Sequence, residues 1–207
     1  MQSSNRAVAI CPAYITPEPT MLIVKQHSQG SERDFTCFHA NSSVLFEIIG
    51  DRKSSSRRRK LVDSAKDTPL FELRRRYQEQ WCLKFPEDLS DQSHSPQFSV
   101  AMKWKGWSNF DITIDNMASS NVERVVLEVR ARGVRHTTYD ISLNGQKIVE
   151  ARKTPGKEAP GETARIRNNP AWELDVDAGV DTSLASIIAI ILTDLNPANI
   201  RTRSGHA

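Results

Sequence analysis

With 207 residues, 38% of them hydrophobic and 26% charged, the chain has a globular composition and enough length for one sizeable core. Nine Gly and ten Pro exclude collagenous and low-complexity architectures, and a net charge of only +3 argues against a strongly basic nucleic-acid-binding domain. Three cysteines, Cys11, Cys37 and Cys82, are an odd number at wide spacing without a C-x-x-C pair, so reduced thiols are expected and neither a disulfide framework nor a zinc site.

Residues 1–19 carry one Arg and no apolar run, which disfavours a secretory signal or a transit peptide; they read as the flexible tail of a cytosolic or nuclear protein. Short β-branched and aromatic runs then recur between turn residues, at 21–24, 34–38, 44–49, 61–63, 70–74, 80–85, 97–103, 110–114, 122–131, 137–143, 147–151 and 172–176. Asn41-Ser42-Ser43 fits a glycosylation acceptor but, without secretion, reads as a turn. Asn144-Gly145 separates two runs as a type I′ hairpin turn would, since both of its central residues need positive φ. Two stretches rich in turn residues, 86–96 and 153–161, read as exposed loops.

The longest apolar run, 184–192, is far short of the roughly 20 residues that cross a bilayer, so no transmembrane helix is expected. Its isoleucines would also suit a central strand. Length and flanks favour a helix, because Asp181 or Thr182 can cap its start and Asn196-Pro197 ends it. A helix apolar on every side must be buried on every side. Closing the strands around it removes the exposed sheet edges and encloses the helix in one step. The expected fold is therefore mainly β: a closed antiparallel barrel of about twelve strands around a buried C-terminal helix, spanning 20–196, with tails at 1–19 and 197–207.

Three segments resemble the LURP-one-related proteins, which share the Tubby C-terminal-like fold with the phospholipid scramblases. The first is Val44-Leu45-Phe46-Glu47-Ile48-Ile49-Gly50, and the second is Leu61-Val62-Asp63 followed by Pro69-Leu70-Phe71-Glu72-Leu73-Arg74. The third, the most specific, is Trp172-Glu173-Leu174-Asp175-Val176 with Gly179-Val180-Asp181 and the apolar helix behind it. One departure is the missing turn glycine between Asp63 and Pro69, where Lys66-Asp67 stands. The resemblance implies a twelve-stranded barrel around a central helix and transfers no reaction. The residues agree: no GxGxxG, P-loop, HExxH or G-x-S-x-G is present, and His27, His39, His94, His136 and His206 have neither ligand spacing nor an adjacent nucleophile. No catalytic residue, metal site or cofactor is expected.

Charge placement stands out. Residues 52–76 hold ten Lys or Arg against three acids, a local +7 that leaves the rest of the chain at −4. The two dense blocks are Arg57-Arg58-Arg59-Lys60 and Arg74-Arg75-Arg76; alternation along a strand puts Arg74 and Arg76 on one face and Arg75 on the other. The candidate anionic-lipid site is thus Arg57, Arg58, Arg59, Lys60, Arg74 and Arg76, with phosphoinositides or anionic membrane surfaces as the partner and about 1 kcal/mol expected per basic residue near an anionic leaflet. Binding of phosphoinositides by Tubby relatives is what the resemblance adds. The plainer explanation of the block is a solvated basic loop, and the alternative function is a protein-interaction or regulatory adaptor that uses the loops 86–96 and 153–161; nucleic acid ranks lowest, because no aromatics interleave with the basic residues. Ser54, Ser55 and Ser56 lie inside the block, where phosphates would cancel much of its charge.

Three weaker signals complete the chain. Asp175, Asp177 and Asp181 precede the helix where scramblase relatives bind calcium, but Val180 and Ser186 occupy the positions where an EF-hand loop needs Gly and Glu, so solvent exposure for the first two and helix capping for Asp181 are expected. Trp104 and Trp107 suit packing at the barrel rim or an interfacial anchor. Cys11, in the tail, offers a single acylation position, too little for stable anchoring.

Overall fold

A computed structural model describes residues 7–27, 34–51, 58–75, 80–86, 98–102, 109–118, 120–133, 136–154 and 171–195. Twelve strands precede one helix. They are β1 (Thr20–Gln26), β2 (Phe35–His39), β3 (Val44–Gly50), β4 (Arg59–Asp63), β5 (Thr68–Arg75), β6 (Trp81–Lys84), β7 (Phe98–Met102), β8 (Asn109–Asn116), β9 (Glu123–Arg132), β10 (Thr138–Leu143), β11 (Gln146–Thr154) and β12 (Ala171–Val176), followed by α1 (Thr182–Leu195). Every strand read from the sequence is present, and the helix lies where the capping residues put it.

All strands form one antiparallel sheet in the order β6-β5-β4-β3-β2-β1-β12-β11-β10-β9-β8-β7. Two six-stranded meanders are joined by β1 on β12, where Thr20 stands opposite Val176 and Lys25 opposite Ala171. The barrel is nearly closed: β6 and β7 run side by side as its two ends, with no ladder between them among the described residues. This differs from full closure, and the four residues of β6 leave little backbone to pair.

Alternation sorts the strands into an inner apolar and an outer polar face, for example Phe110, Ile112 and Ile114 inward on β8. Three bulges interrupt it, between Cys37 and Phe38, Leu61 and Val62, and Ile141 and Ser142. Each bulge admits one extra residue and increases local bend, which helps a sheet to curl. At two of them consecutive buried residues result, Leu70-Phe71 and Ile148-Val149. The β10–β11 turn has positive φ at Asn144 and Gly145, as a type I′ turn requires. At the β4–β5 turn, where Lys66-Asp67 stands in place of a glycine, Asp67 takes the left-handed conformation with φ +50, which Asp tolerates better than most residues. Asp63 Oδ1 secures that turn by accepting the amides of Ala65 and Lys66.

The interior belongs to α1, all fourteen residues of which are buried. Its polar side chains need partners, since no water competes there. Ser186 and Thr193 donate back to the carbonyls of Thr182 and Ala189, and Trp172 Nε1 donates to Thr193 Oγ1 at 2.8 Å. Asp181 caps the helix, its Oδ1 accepting the Ser183 amide and hydroxyl, both at 2.7 Å.

Residues 7–19 are not a loose tail. Val8, Ala9 and Ile10 are buried, and a 3-10 turn follows at Pro12–Tyr14. Asp181 Oδ2 accepts the amides of Ile10 and Cys11 at 3.0 and 2.8 Å, Val8 bridges Val180, and Asn116 clamps the chain by accepting from Ala9 N while donating to Ala7 O. The strap closes the barrel end where α1 begins. Enclosing the helix start without it would leave the Asp181 carboxylate and exposed helix amides facing an open mouth.

Two stability predictions follow from this enclosure. Ile188→Asp places an unpaired charge at a site that is 1% exposed, so a loss of more than about 4 kcal/mol is expected, seen as insolubility or absence of a cooperative melt; a soluble variant with unchanged Tm would contradict the buried helix. Deletion of residues 1–19 forfeits the burial of Val8 and Ile10, about 1.5–3 kcal/mol each, besides the bonds to Asp181, and should shift the denaturation midpoint strongly downward.

Candidate functional site

The basic block enters the barrel wall at Arg59, two residues earlier than the apolar run suggests. Period-two alternation then turns Arg59, Leu61 and Asp63 inward and Lys60 and Val62 outward. Arg59 is 3% exposed and pairs in a fork with Asp194 of α1, Nη1 to Oδ2 at 2.7 Å and Nη2 to Oδ1 at 2.8 Å, with its guanidinium 5.3 Å from the Phe35 ring centre. The physical need is clear. Asp194 sits in the last turn of a buried helix, where the negative dipole end disfavours a carboxylate, and a planar, always charged guanidinium satisfies both oxygens at once. Arg59 is therefore not a surface residue, and its place in the expected lipid site is corrected.

The other half of the alternation builds the outer face. Lys60, Glu72 and Lys84 stand opposite one another across β4, β5 and β6. Arg74 shares the Glu72 side of β5 and its Nε donates to Glu72 Oε1, while Arg58 Nε lies 4.0 Å from the same oxygen. Arg75 departs to the Trp81 ring, 5.2 Å from its centre. Two shallow depressions flank the Lys60–Glu72 pair. One, of about 340 Å³, is lined by Ile49, Gly50, Asp51, Arg58, Lys60 and Glu72. The second, of about 200 Å³, has Lys60, Arg74 and Lys84 around Glu72, with Phe71, Phe85, Pro69 and Pro86 as apolar walls.

Of the expected site, Arg58, Lys60 and Arg74 are thus brought together, and Arg57 and Arg76 lie outside the described residues. Glu72 and Lys84 join them without having been singled out. Their signal was available: Trp81 and Leu83 alternate with Cys82 and Lys84, and the β5–β6 hairpin sets Lys84 against Glu72.

The family model described as LURP-one-related matches residues 20–194. The chain belongs to the LURP-one-related family. An Arabidopsis thaliana protein solved by X-ray crystallography is similar in structure, with a TM-score of 0.59 and 16% identity over 92% of this chain and 99% of that one; at that identity the likeness speaks for the fold alone. Among curated proteins there is no match. The LURP-one-related match begins after the strap that plugs the barrel.

Elsewhere in this LURP-one-related domain the titratable groups serve structure. The Tyr14 hydroxyl donates to Asp63 Oδ2 at 2.5 Å. Burial acts to raise the Asp63 carboxyl, but this bond and the Lys66 and Ala65 amides outweigh it and hold the group below its usual range. Asp181 is pushed upward by burial, against the pull of its four close donors. Asp175 pairs with Arg152 at 2.7 Å on the outer face, so Asp175 and Asp181 do not converge. No three His, Cys, Asp or Glu gather as a metal site among the described residues, and no described helix is long and apolar enough to cross a membrane.

Cys11 sits in the strap, half-buried, and burial together with the Asp181 charge pushes its thiol up to about 12; it is not the tail cysteine that the acylation reading assumed. Cys37, wholly buried, is likewise pushed up to about 12 by burial. Ser54, Ser55, Ser56, Trp104, Trp107, His94, His206, residues 87–96 and 155–161 of the two expected loops, and the tail 197–207 lie outside the described residues.

The Arg59–Asp194 pair generates a paired prediction. Arg59→Met leaves a buried carboxylate without its cation and should cost about 3–5 kcal/mol in chemical denaturation. Arg59→Met with Asp194→Leu removes both charges and should recover most of that loss; a double variant no more stable than the single one would show that the pair is not what Arg59 supplies.

Proposed function

We propose that this LURP-one-related protein is a non-enzymatic, peripheral module that binds the phosphates of phosphoinositides or other anionic headgroups through the outer face of β4, β5 and β6. The observation that carries the proposal is the convergence of Arg58, Lys60, Arg74 and Lys84 around one carboxylate, Glu72, on adjacent strands. One carboxylate does not neutralise four cations, so among these residues a positive field persists above the surface within a Debye length. The opposite wall differs, because Arg130, Arg132, Lys147 and Arg152 are matched there by Asp111, Glu128, Asp140, Glu150 and Asp175.

The test is vesicle co-sedimentation with neutral vesicles and with vesicles carrying phosphatidylserine or phosphatidylinositol bisphosphate, at low and at physiological salt. The variant is Arg58→Ala/Lys60→Ala/Arg74→Ala, with Arg59 retained so that the fold survives. Binding is expected only to anionic vesicles, weakening with salt and falling about a hundredfold in the variant, from about 1 kcal/mol per residue. Absence of binding in every condition would remove the membrane role and leave a protein-interaction adaptor.

A further inference from the structure

The two depressions beside Lys60 are not equivalent. In the larger one Arg58 and Lys60 face Asp51 and Glu72, so the charges balance among the described lining residues. In the smaller one the charged residues of the described lining are Lys60, Arg74 and Lys84 around Glu72, and Phe85, Pro69 and Pro86 supply an apolar wall with Phe71 behind it. Phe71, a core residue, meets Phe85 edge to face with ring centres 5.9 Å apart, which fixes the Phe85 ring beside the depression. The Glu72 oxygen bonded by Arg74 Nε is also the one nearest Arg58, so one carboxylate occupies the centre that an incoming anion would need.

We propose that the smaller depression is a phosphomonoester site in which Glu72 acts as the resident counter-ion, released from Arg74 when a phosphate group enters. The site rests on the anionic-headgroup reading but goes further, since it selects one depression, adds Lys84 as a binding residue and assigns Glu72 an opposing role. A phosphate offers Arg74 an acceptor oxygen in place of Glu72 Oε1, with more charge for Lys60 and Lys84 to share. Glu72 lowers affinity for weakly charged anions, because a singly charged group gains little by replacing a carboxylate already in place. A dianionic phosphate gains the difference. The apolar wall suits the carbon skeleton that carries the phosphate, on a lipid headgroup or on a soluble phosphate ester.

Glu72→Gln should therefore strengthen binding, against the usual direction for a change in a binding site. Removing one like charge at the surface is expected to raise affinity about fivefold, and Lys84→Ala to lower it by a similar factor. Glu128→Gln, on the opposite wall at β9, changes the net charge equally and serves as the control; it should alter binding little. Two arms separate the sources of the phosphate: vesicles carrying phosphatidylinositol bisphosphate, and soluble inositol trisphosphate followed by calorimetry. Thermal melts check that each variant is folded.

Wild-type binding to vesicles with Glu72→Gln tighter, Lys84→Ala weaker and Glu128→Gln unchanged supports the counter-ion role. Wild-type binding that Glu72→Gln leaves unchanged or weakens overturns this role while the membrane proposal stands. An equal gain in Glu72→Gln and Glu128→Gln also overturns it, as a net-charge effect. Binding of the soluble ester alone, enhanced by Glu72→Gln, keeps the site and removes the membrane. No binding by any protein in either arm overturns both.

Discussion

The helix enclosed by the barrel sets the terms for the rest of the chain. Its fourteen buried residues and the cap before them hold two buried carboxylates, Asp181 at the start of the helix and Asp194 in its last turn. A buried carboxylate without partners is costly, so each end has recruited a separate part of the sequence. Asp181 favours the positive end of the helix dipole and draws in the strap through the Ile10 and Cys11 amides. Asp194 stands at the unfavourable end and needs a full cation, which Arg59 supplies from β4. The two ends are thus solved differently because the dipole treats them differently.

That solution also decides which charges remain outside. Once Arg59 is committed to the interior, the same strand must show Lys60 to solvent, and the basic block is divided between fold and surface by the pleat alone. The outer ion pairs of β8 to β12 add little stability one by one, since exposed pairs are worth about 0–1 kcal/mol. Their consequence lies in the field: among the described residues, one wall is lined by acids that match its cations, while on β4 to β6 Lys60, Arg74 and Lys84 surround Glu72. A modest net charge of +3 conceals that asymmetry.

Much of this was legible before any coordinates. Short β-rich runs and turn residues located all twelve strands, and the apolar run with Asp181 before it and Pro197 after it located the helix. Arg59 was misplaced because the strand was begun at Leu61, which left Arg57-Arg58-Arg59-Lys60 as a loop to which alternation did not apply. A signal existed in Asp194: a charge in the last turn of a helix that must be buried demands a cation somewhere in the wall. Its position in the sequence could not be read, since the partner lies 135 residues away. The strap was missed for a similar reason. Val8, Ala9 and Ile10 are apolar, but their contacts with Asn116 and Asp181 are made over more than a hundred residues and follow only from the closure of the barrel.

Register, more than composition, holds the outer row of Lys60, Glu72 and Lys84 in place. Near the β4–β5 turn Val62 faces Pro69, yet beyond the bulge Lys60 faces Glu72, because Leu70 is an extra residue on β5. If the ladder ran on from the turn with no bulge to take up Leu70, Lys60 would stand opposite Phe71, and a residue that belongs in water would share a face with one that belongs in the core. The bulge resolves the conflict: the turn keeps the geometry that Asp63 and Asp67 impose, Phe71 and Leu73 stay inside with Arg59 and Leu61, and Glu72 arrives between two lysines. The bulge that takes up Leu70 therefore keeps Arg59 on the inner face with Phe71 and Leu73 and keeps Glu72 on the outer face with Lys60 and Lys84, which ties the candidate site to the packing of the helix inside the barrel.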